Sequence, residues 1–163
     1  KTYAMTGWRI GYTASSAELA GIMSNIQSHA ASNPNSIAQM AAVVALNDSQ
    51  DCVTEMWKAF EARRNYMVKR FDNMDAVSYL MPEGAFYLFV DISKTYKQKY
   101  KGVEIGDGDR FANLLLEDFL VAVVPGDGFG APDCMRLSYA TSMGNIEEGL
   151  NRIEAFLNAL DSN

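Results

Sequence analysis

Residues Lys1–Tyr12 read KTYAMTGWRIGY, and the reading of this run decides how the rest of the chain is understood. It sets a lysine, Lys1, eight positions before an arginine, Arg9, with Gly7 and Gly11 on either side of the arginine. A lysine amine condenses with an aldehyde, and the planar fork of an arginine grips a phosphate through two parallel hydrogen bonds. The two together suit a cofactor that carries both groups, and pyridoxal 5′-phosphate is such a cofactor. The flanking glycines would let the backbone approach it closely. Taken singly, each residue has a duller reading: lysines are mostly exposed, and Arg9 could serve a surface ion pair at a strand edge.

Far downstream, Cys134–Asn145 reads CMRLSYATSMGN, with a second single arginine, Arg136, in an apolar stretch. A buried guanidinium there needs an anionic partner. An amino-acid carboxylate would fit, and so would an Asp or Glu of the same domain.

The segments KTYAMTGWRIGY, SNPNSIAQMAA, PEGAFYLFVDIS, VVPGDGFG and MRLSYATS occur in that order. Together they resemble the C-terminal part of fold-type I aminotransferases of the aspartate aminotransferase class, over essentially the whole chain. In that class the lysine matching Lys1 forms the imine with pyridoxal phosphate. Once freed, it moves a proton between the substrate α-carbon and the cofactor's C4′ as general base and then acid. The arginine matching Arg9 binds the cofactor phosphate, and the one matching Arg136 reaches from the small domain to bind the substrate α-carboxylate. The resemblance thus implies Lys1 as catalytic, Lys1 and Arg9 as cofactor-binding, Arg136 as substrate-binding, and no metal. It implies amino-group transfer from an amino acid, by default aspartate, to a 2-oxo acid, by default 2-oxoglutarate, in a homodimer.

The implied fold class is α/β: a small C-terminal α/β sandwich domain (74–163), the end of the large cofactor-binding domain (1–47), and a long linking helix between them (48–73). The family's upstream half supplies an aspartate on the pyridine nitrogen, an aromatic ring over the cofactor and further polar contacts. Neither that half nor the serine that usually precedes the lysine occurs in these residues. The chain therefore reads as a domain piece or proteolytic fragment of a longer enzyme, inactive alone and not expected to retain pyridoxal phosphate. Two rival readings share parts of the pattern. A carbon–sulfur lyase would share Lys1 and Arg9 but usually departs from MTGWRIGY. A transcription regulator that senses pyridoxal phosphate through an aminotransferase-like domain typically has a proline-containing turn where this chain keeps Met5, Thr6, Gly7 and Trp8.

Composition narrows the field. The 163 residues, 48% hydrophobic and 21% charged, suit one globular domain with attached elements. No apolar run approaches the ~20 residues needed to cross a bilayer, and no signal peptide is visible. A formal charge of −6 argues against nucleic acid as a partner. The exception in charge, Lys94–Lys101 (KTYKQKYK), reads as a solvated loop between strand and helix rather than a basic-aromatic patch. Cys52 and Cys134 are far apart and in no CxxC pattern, which fits a reduced, cytoplasmic chain. One histidine, His29, and two scattered cysteines make no convincing zinc site.

Along the chain, Trp8–Thr13 alternates and predicts a strand carrying Arg9 at its edge. Leu19, Ile22, Met23 and Ile26 predict a helix over Ala17–Ala31, stopped by the SNPN turn. Ser36 with Gln39 has the capping-box spacing for a helix through Leu46, with Ile37, Met40 and Val44 inward. Asp48 or Ser49 would cap a helix of about six turns, the longest element, ending near Asn73. Strands are predicted over Val77–Leu80, Phe86–Ile92, Val121–Val124 and Met135–Tyr139, and a helix over Phe111–Glu117. A last helix, capped by Asn145 with Glu148 three residues on, buries Ile146, Leu150, Ile153, Leu157 and Leu160. The glycines of VVPGDGFG lack the Lys-Ser/Thr ending of a phosphate loop and predict a turn facing the active-site mouth. GDGD, Gly106–Asp109, has too few ligands for calcium and predicts a helix start.

Overall fold

The computed structural model describes residues 1–161. The chain divides into two compact units, Lys1–Trp57 and Lys58 onward.

The first unit is helical. Helix α1 spans Ala17–Ala31 as predicted, and Ser16 caps it by accepting from the Leu19 N–H at 3.4 Å. Helix α2 spans Ser36–Asn47. Its cap is Asn35 rather than Ser36: the Asn35 Oδ1 accepts from the N–H groups of Ile37 and Ala38 at 2.9 and 3.1 Å, satisfying two donors that the first turn leaves open. Helix α3, Asp51–Phe71, begins here and continues into the second unit. The Ser49 hydroxyl accepts from the Asp51 N–H at its start.

Two expectations fail in this unit. The strand over Trp8–Thr13 is absent: Thr6–Trp8 forms a 3-10 turn, Arg9 takes the left-handed conformation (φ 50°, ψ 48°), and residues 10–16 belong to no element. A strand exists only through a ladder partner, and the described residues of this unit contain no strand. The inward face of α2 is also not inward, since Ile37 and Met40 are 68% and 64% exposed and Ala38 is the buried residue. Without a sheet in the unit, helical periodicity has no layer to be buried against.

The second unit is a two-layer α/β fold. Strands β1 (Ser78–Tyr79) and β2 (Tyr87–Asp91) pair antiparallel. A hairpin of β3 (Lys99–Tyr100) and β4 (Val103–Glu104) follows, then α4 (Gly108–Phe119), β5 (Val124–Pro125), β6 (Cys134–Ser138) and α5 (Met143–Asn158). The main sheet has the order β1-β2-β6-β5, antiparallel throughout, so the two longest strands lie at its centre. Leu88 and Val90 of β2 alternate with outward residues, as do Met135 and Leu137 of β6, because successive side chains of a strand point to opposite faces. These four pack with Met67 and Phe71 of α3, Phe111 and Leu115 of α4, and Ile146, Leu150, Ile153 and Phe156 of α5. Each fully buried side chain of this size contributes roughly 1.5–3 kcal/mol. Helices thus cover one sheet face, as predicted, and Arg70 of α3 adds an ion pair to Glu154 of α5 at 2.8 Å.

Element ends differ from prediction. Ser142, not Asn145, caps α5, its hydroxyl accepting from the Asn145 N–H at 3.2 Å. GDGD starts a helix as expected, and Asp107 within it caps α4. The KTYKQKYK stretch is folded rather than a solvated loop: Thr95 is buried, the Tyr96 hydroxyl donates to the Pro132 carbonyl at 2.9 Å, and the Tyr100 ring meets Phe119 at a tilt and Phe156 edge-on. Both tyrosines therefore serve the core, and Lys101 pairs with Asp118 at 2.7 Å.

Candidate active site

Lys1 and Arg9 lie in the first unit, on the run that turns into α1. The Lys1 carbonyl accepts from the Ala4 N–H at 2.9 Å, and the 3-10 turn closes by a bond from the Trp8 N–H to the Met5 carbonyl at 3.2 Å. Arg9 follows directly, and its Nη1 donates to the Thr6 carbonyl at 3.1 Å, folding the side chain back along its own turn. Both side chains are exposed, and Arg9 enters no ion pair among the described residues. The left-handed backbone at Arg9 is costly for a side chain with a Cβ, and Ala4, Ser32, Ala85, Lys101 and Leu120 also take positive φ.

Arg136 lies in the second unit, at the centre of the sheet. It sits on β6 opposite Phe89 of β2 and Val124 of β5, on the face turned away from the helices. Sequence reasoning expected an anionic partner. Among the described residues Arg136 has none, and aromatic rings stand in its place: the guanidinium carbon lies 4.3 Å from the centre of the Tyr87 ring and 4.4 Å from that of Phe129. A guanidinium is weakly hydrated and stacks on aromatic faces, so the rings can hold it half-buried without an acid.

Tyr87 and Phe129, the two rings against Arg136, are not singled out by the sequence. Tyr87 is two positions from Phe89 on β2, a diagonal neighbour of Arg136 on the same face, within reach of long side chains. The alternation of β2 put it on that face, but only the register shows that it meets Arg136. Phe129 comes from the VVPGDGFG turn, where Asp127–Phe129 forms a 3-10 turn ended by Gly130 at φ 72°. Each ring is itself braced. Phe129 meets Phe89 edge-on at 6.2 Å, and Tyr87 lies 4.3 Å from Phe86.

Nearby, Cys134 is a half-buried free thiol, pushed above its ordinary range by burial and then by the charges of Asp91 and Asp133. Cys52 is also a free thiol.

The sequence model of the aminotransferase class I and II family matches residues 1–153. This chain belongs to that family. The aspartate aminotransferase of Bacillus subtilis is 44% identical over 157 residues, and the aspartate/prephenate aminotransferase of Nitrosomonas europaea is 43% identical over 159 residues. Those matches cover 96% of this chain but 39% and 40% of the relatives. The crystal structure of the Rhizobium meliloti aspartate aminotransferase is 43% identical with a TM-score of 0.93, over 99% of this chain and 40% of that one. The family member described here thus spans about 40% of the length of its relatives. The match to that structure makes the α/β fold that of fold-type I transferases.

Proposed function

We propose that this chain is the C-terminal part of a pyridoxal-phosphate-dependent aminotransferase that exchanges an amino group between an amino acid and a 2-oxo acid. The observation that carries the reading is Arg136, a guanidinium on a central strand that is contacted by two rings and paired with no acid among the described residues. Rings occupy the face of a guanidinium, whereas its N–H donors lie in its plane, so the fork remains available to a carboxylate. The names of the relatives favour aspartate as the default amino donor, and favour amino transfer over the lyase and regulator readings; 2-oxoglutarate as the default acceptor is part of the proposal. A homodimeric, cytoplasmic enzyme is part of the same proposal; no helix among the described residues is long and apolar enough to cross a membrane. So is the division into a large-domain remnant (1–47), α3 as linking helix (48–73) and a small domain (74–163).

The donor chemistry fits pyridoxal phosphate: Lys1 offers an amine, and Arg9 an exposed fork outside any ion pair among the described residues. Bound there, the cofactor would supply an aldehyde that takes up the amino group and a conjugated ring that accepts the electron pair left when the α-proton departs. Lys1 Nζ would hold the cofactor and, once released, remove the proton from the substrate Cα and pass it on. Arg9 would bind the phosphate. Arg136 would fix the substrate by its α-carboxylate.

Transamination by the complete polypeptide tests this assignment. Arg136→Lys keeps the charge and loses the fork, and a charge-assisted pair contributes roughly 1.5–3 kcal/mol, so kcat/KM should fall about ten- to hundredfold. Every amino acid should be affected alike, since all share the α-carboxylate. Arg9→Lys should chiefly weaken cofactor retention, and Lys1→Ala should abolish turnover while cofactor binding stays measurable. Release of the cofactor by Arg136→Lys, or near-normal turnover by Lys1→Ala, would overturn the assignment.

A further inference from the structure

The geometry points to Tyr87 and Phe129 as positioning residues for substrate recognition, acting through Arg136. The inference rests on the reading of Arg136 as the carboxylate-binding arginine. An arginine that must receive a substrate carboxylate faces a conflict. Held by an internal Asp or Glu, its fork would be occupied and each substrate would have to displace that acid. Left unheld, the long side chain would spend rotamer freedom at every binding event, and immobilising such a side chain costs affinity. Two rings at 4.3 and 4.4 Å from its guanidinium carbon resolve the conflict, because they restrain the plane of the group and leave its edge donors available.

The surroundings support a dedicated arrangement. Phe129 is 52% exposed, and its ring meets Arg136 and the edge-on ring of Phe89. The loop that carries it is shaped by two glycines with different duties. Gly130 takes a left-handed conformation at φ 72°, and Gly126 is buried where its loop leaves no room for a Cβ. The glycine pattern of VVPGDGFG therefore gains a purpose other than phosphate binding, which is to set one ring over Arg136. Tyr87 arrives from the opposite direction in the chain, on the rigid central strand β2.

The test is a set of ring variants in the complete polypeptide, assayed by steady-state transamination with aspartate as the varied substrate. Phe129→Leu and Tyr87→Leu should each lower kcat/KM by about threefold to thirtyfold, the range expected for a cation–ring contact from exposed to desolvated. Most of the loss should appear in KM. Phe129→Tyr and Tyr87→Phe, which keep the ring face, should restore the wild-type value. In an Arg136→Lys background the leucine variants should add little, because the group they position is gone. If the leucine variants match wild type, or if Phe129→Tyr and Phe129→Leu lose equally, or if their losses simply add to that of Arg136→Lys, the positioning role is wrong. Should Arg136→Lys itself leave kcat/KM unchanged, the carboxylate reading falls, and that outcome is distinct from the others.

Discussion

At the scale of single residues, Gly126 shows how a loop residue sets the path of the turn that carries Phe129 against Arg136. Its φ of −79° is open to any residue, so conformational freedom is not what the position needs. What it needs is space: a Cβ would fall on the Ala131 carbonyl oxygen and 2.6 Å from that of Cys134. Both are backbone atoms, one in the loop and one at the start of β6, tied to Gly126 itself, whose N–H donates to the Cys134 carbonyl at 2.7 Å and whose carbonyl accepts from the N–H groups of Phe129 and Ala131. Gly126→Ala must therefore move the turn that carries Phe129, and should destabilise the chain by about 1–3 kcal/mol in urea unfolding, the range of an overpacked interior. Gly128→Ala, where a Cβ meets nothing within 4 Å, should stay within about 0.5 kcal/mol of wild type. Equal losses in the two variants would refute the steric account. The sequence singles out Lys1, Arg9 and Arg136 as candidates because each is a distinctive group in a distinctive run. Tyr87 and Phe129 were not legible, since their role depends on a cross-strand register and a loop path that no local pattern encodes.

Among elements, the long periodic segments were readable and the short ones were not. Helix α1 falls where its apolar spacing put it, whereas the starts of α2 and α5 shifted by one to three residues. SNPNS and TSMGN each offer several residues able to cap, and only the backbone path chooses between them. The two-residue strands β3 and β4 are too short for alternation to register, so KTYKQKYK looked like a loop. Its folded state has a pH consequence through Tyr96. Burial first, then the charges of Asp133, Asp107, Asp91 and Cys134, push this phenol from 10.0 up to about 12, while its neutral O–H donates to Pro132. A group with a folded pKa raised above its unfolded value stabilises the fold fully below the lower value and loses that contribution as pH climbs through the higher one. The stability difference between wild type and Tyr96→Phe should accordingly be constant below about pH 10 and shrink toward pH 12, read by denaturant midpoints across that window. A difference that is flat to pH 12 would contradict the assignment. Tyr79, pushed up to about 12 by burial and by its bond to Asp72, titrates in the same window and is unchanged in both proteins.

On the scale of the whole molecule, the two units carry very different amounts of buried surface, and stability should follow that division. Helix α1 has no buried residue, and in α2 only Ala38 is buried, whereas the second unit encloses a continuous core from Met67 to Leu160. Local opening is least costly where few apolar contacts are lost. Amides of α1 and α2 should therefore exchange with solvent far faster than those of β2, β6 and α5, and comparable protection across the chain would contradict this. The same asymmetry bears on cofactor retention. Lys1 and Arg9 both belong to the weakly buried unit, and both side chains are exposed, so neither an imine nor a phosphate contact formed there would be shielded from water. Two donors alone also fall short of the several polar contacts that fix a cofactor's orientation. Titrating the 163-residue chain with pyridoxal phosphate should yield no saturable visible absorbance band attributable to the Lys1 side chain. The decisive comparison is Lys1→Ala, which keeps the backbone amine of residue 1 and removes Nζ. If a saturable band forms in the wild-type chain and disappears in Lys1→Ala, these 163 residues hold the cofactor by themselves, and the argument from burial is wrong.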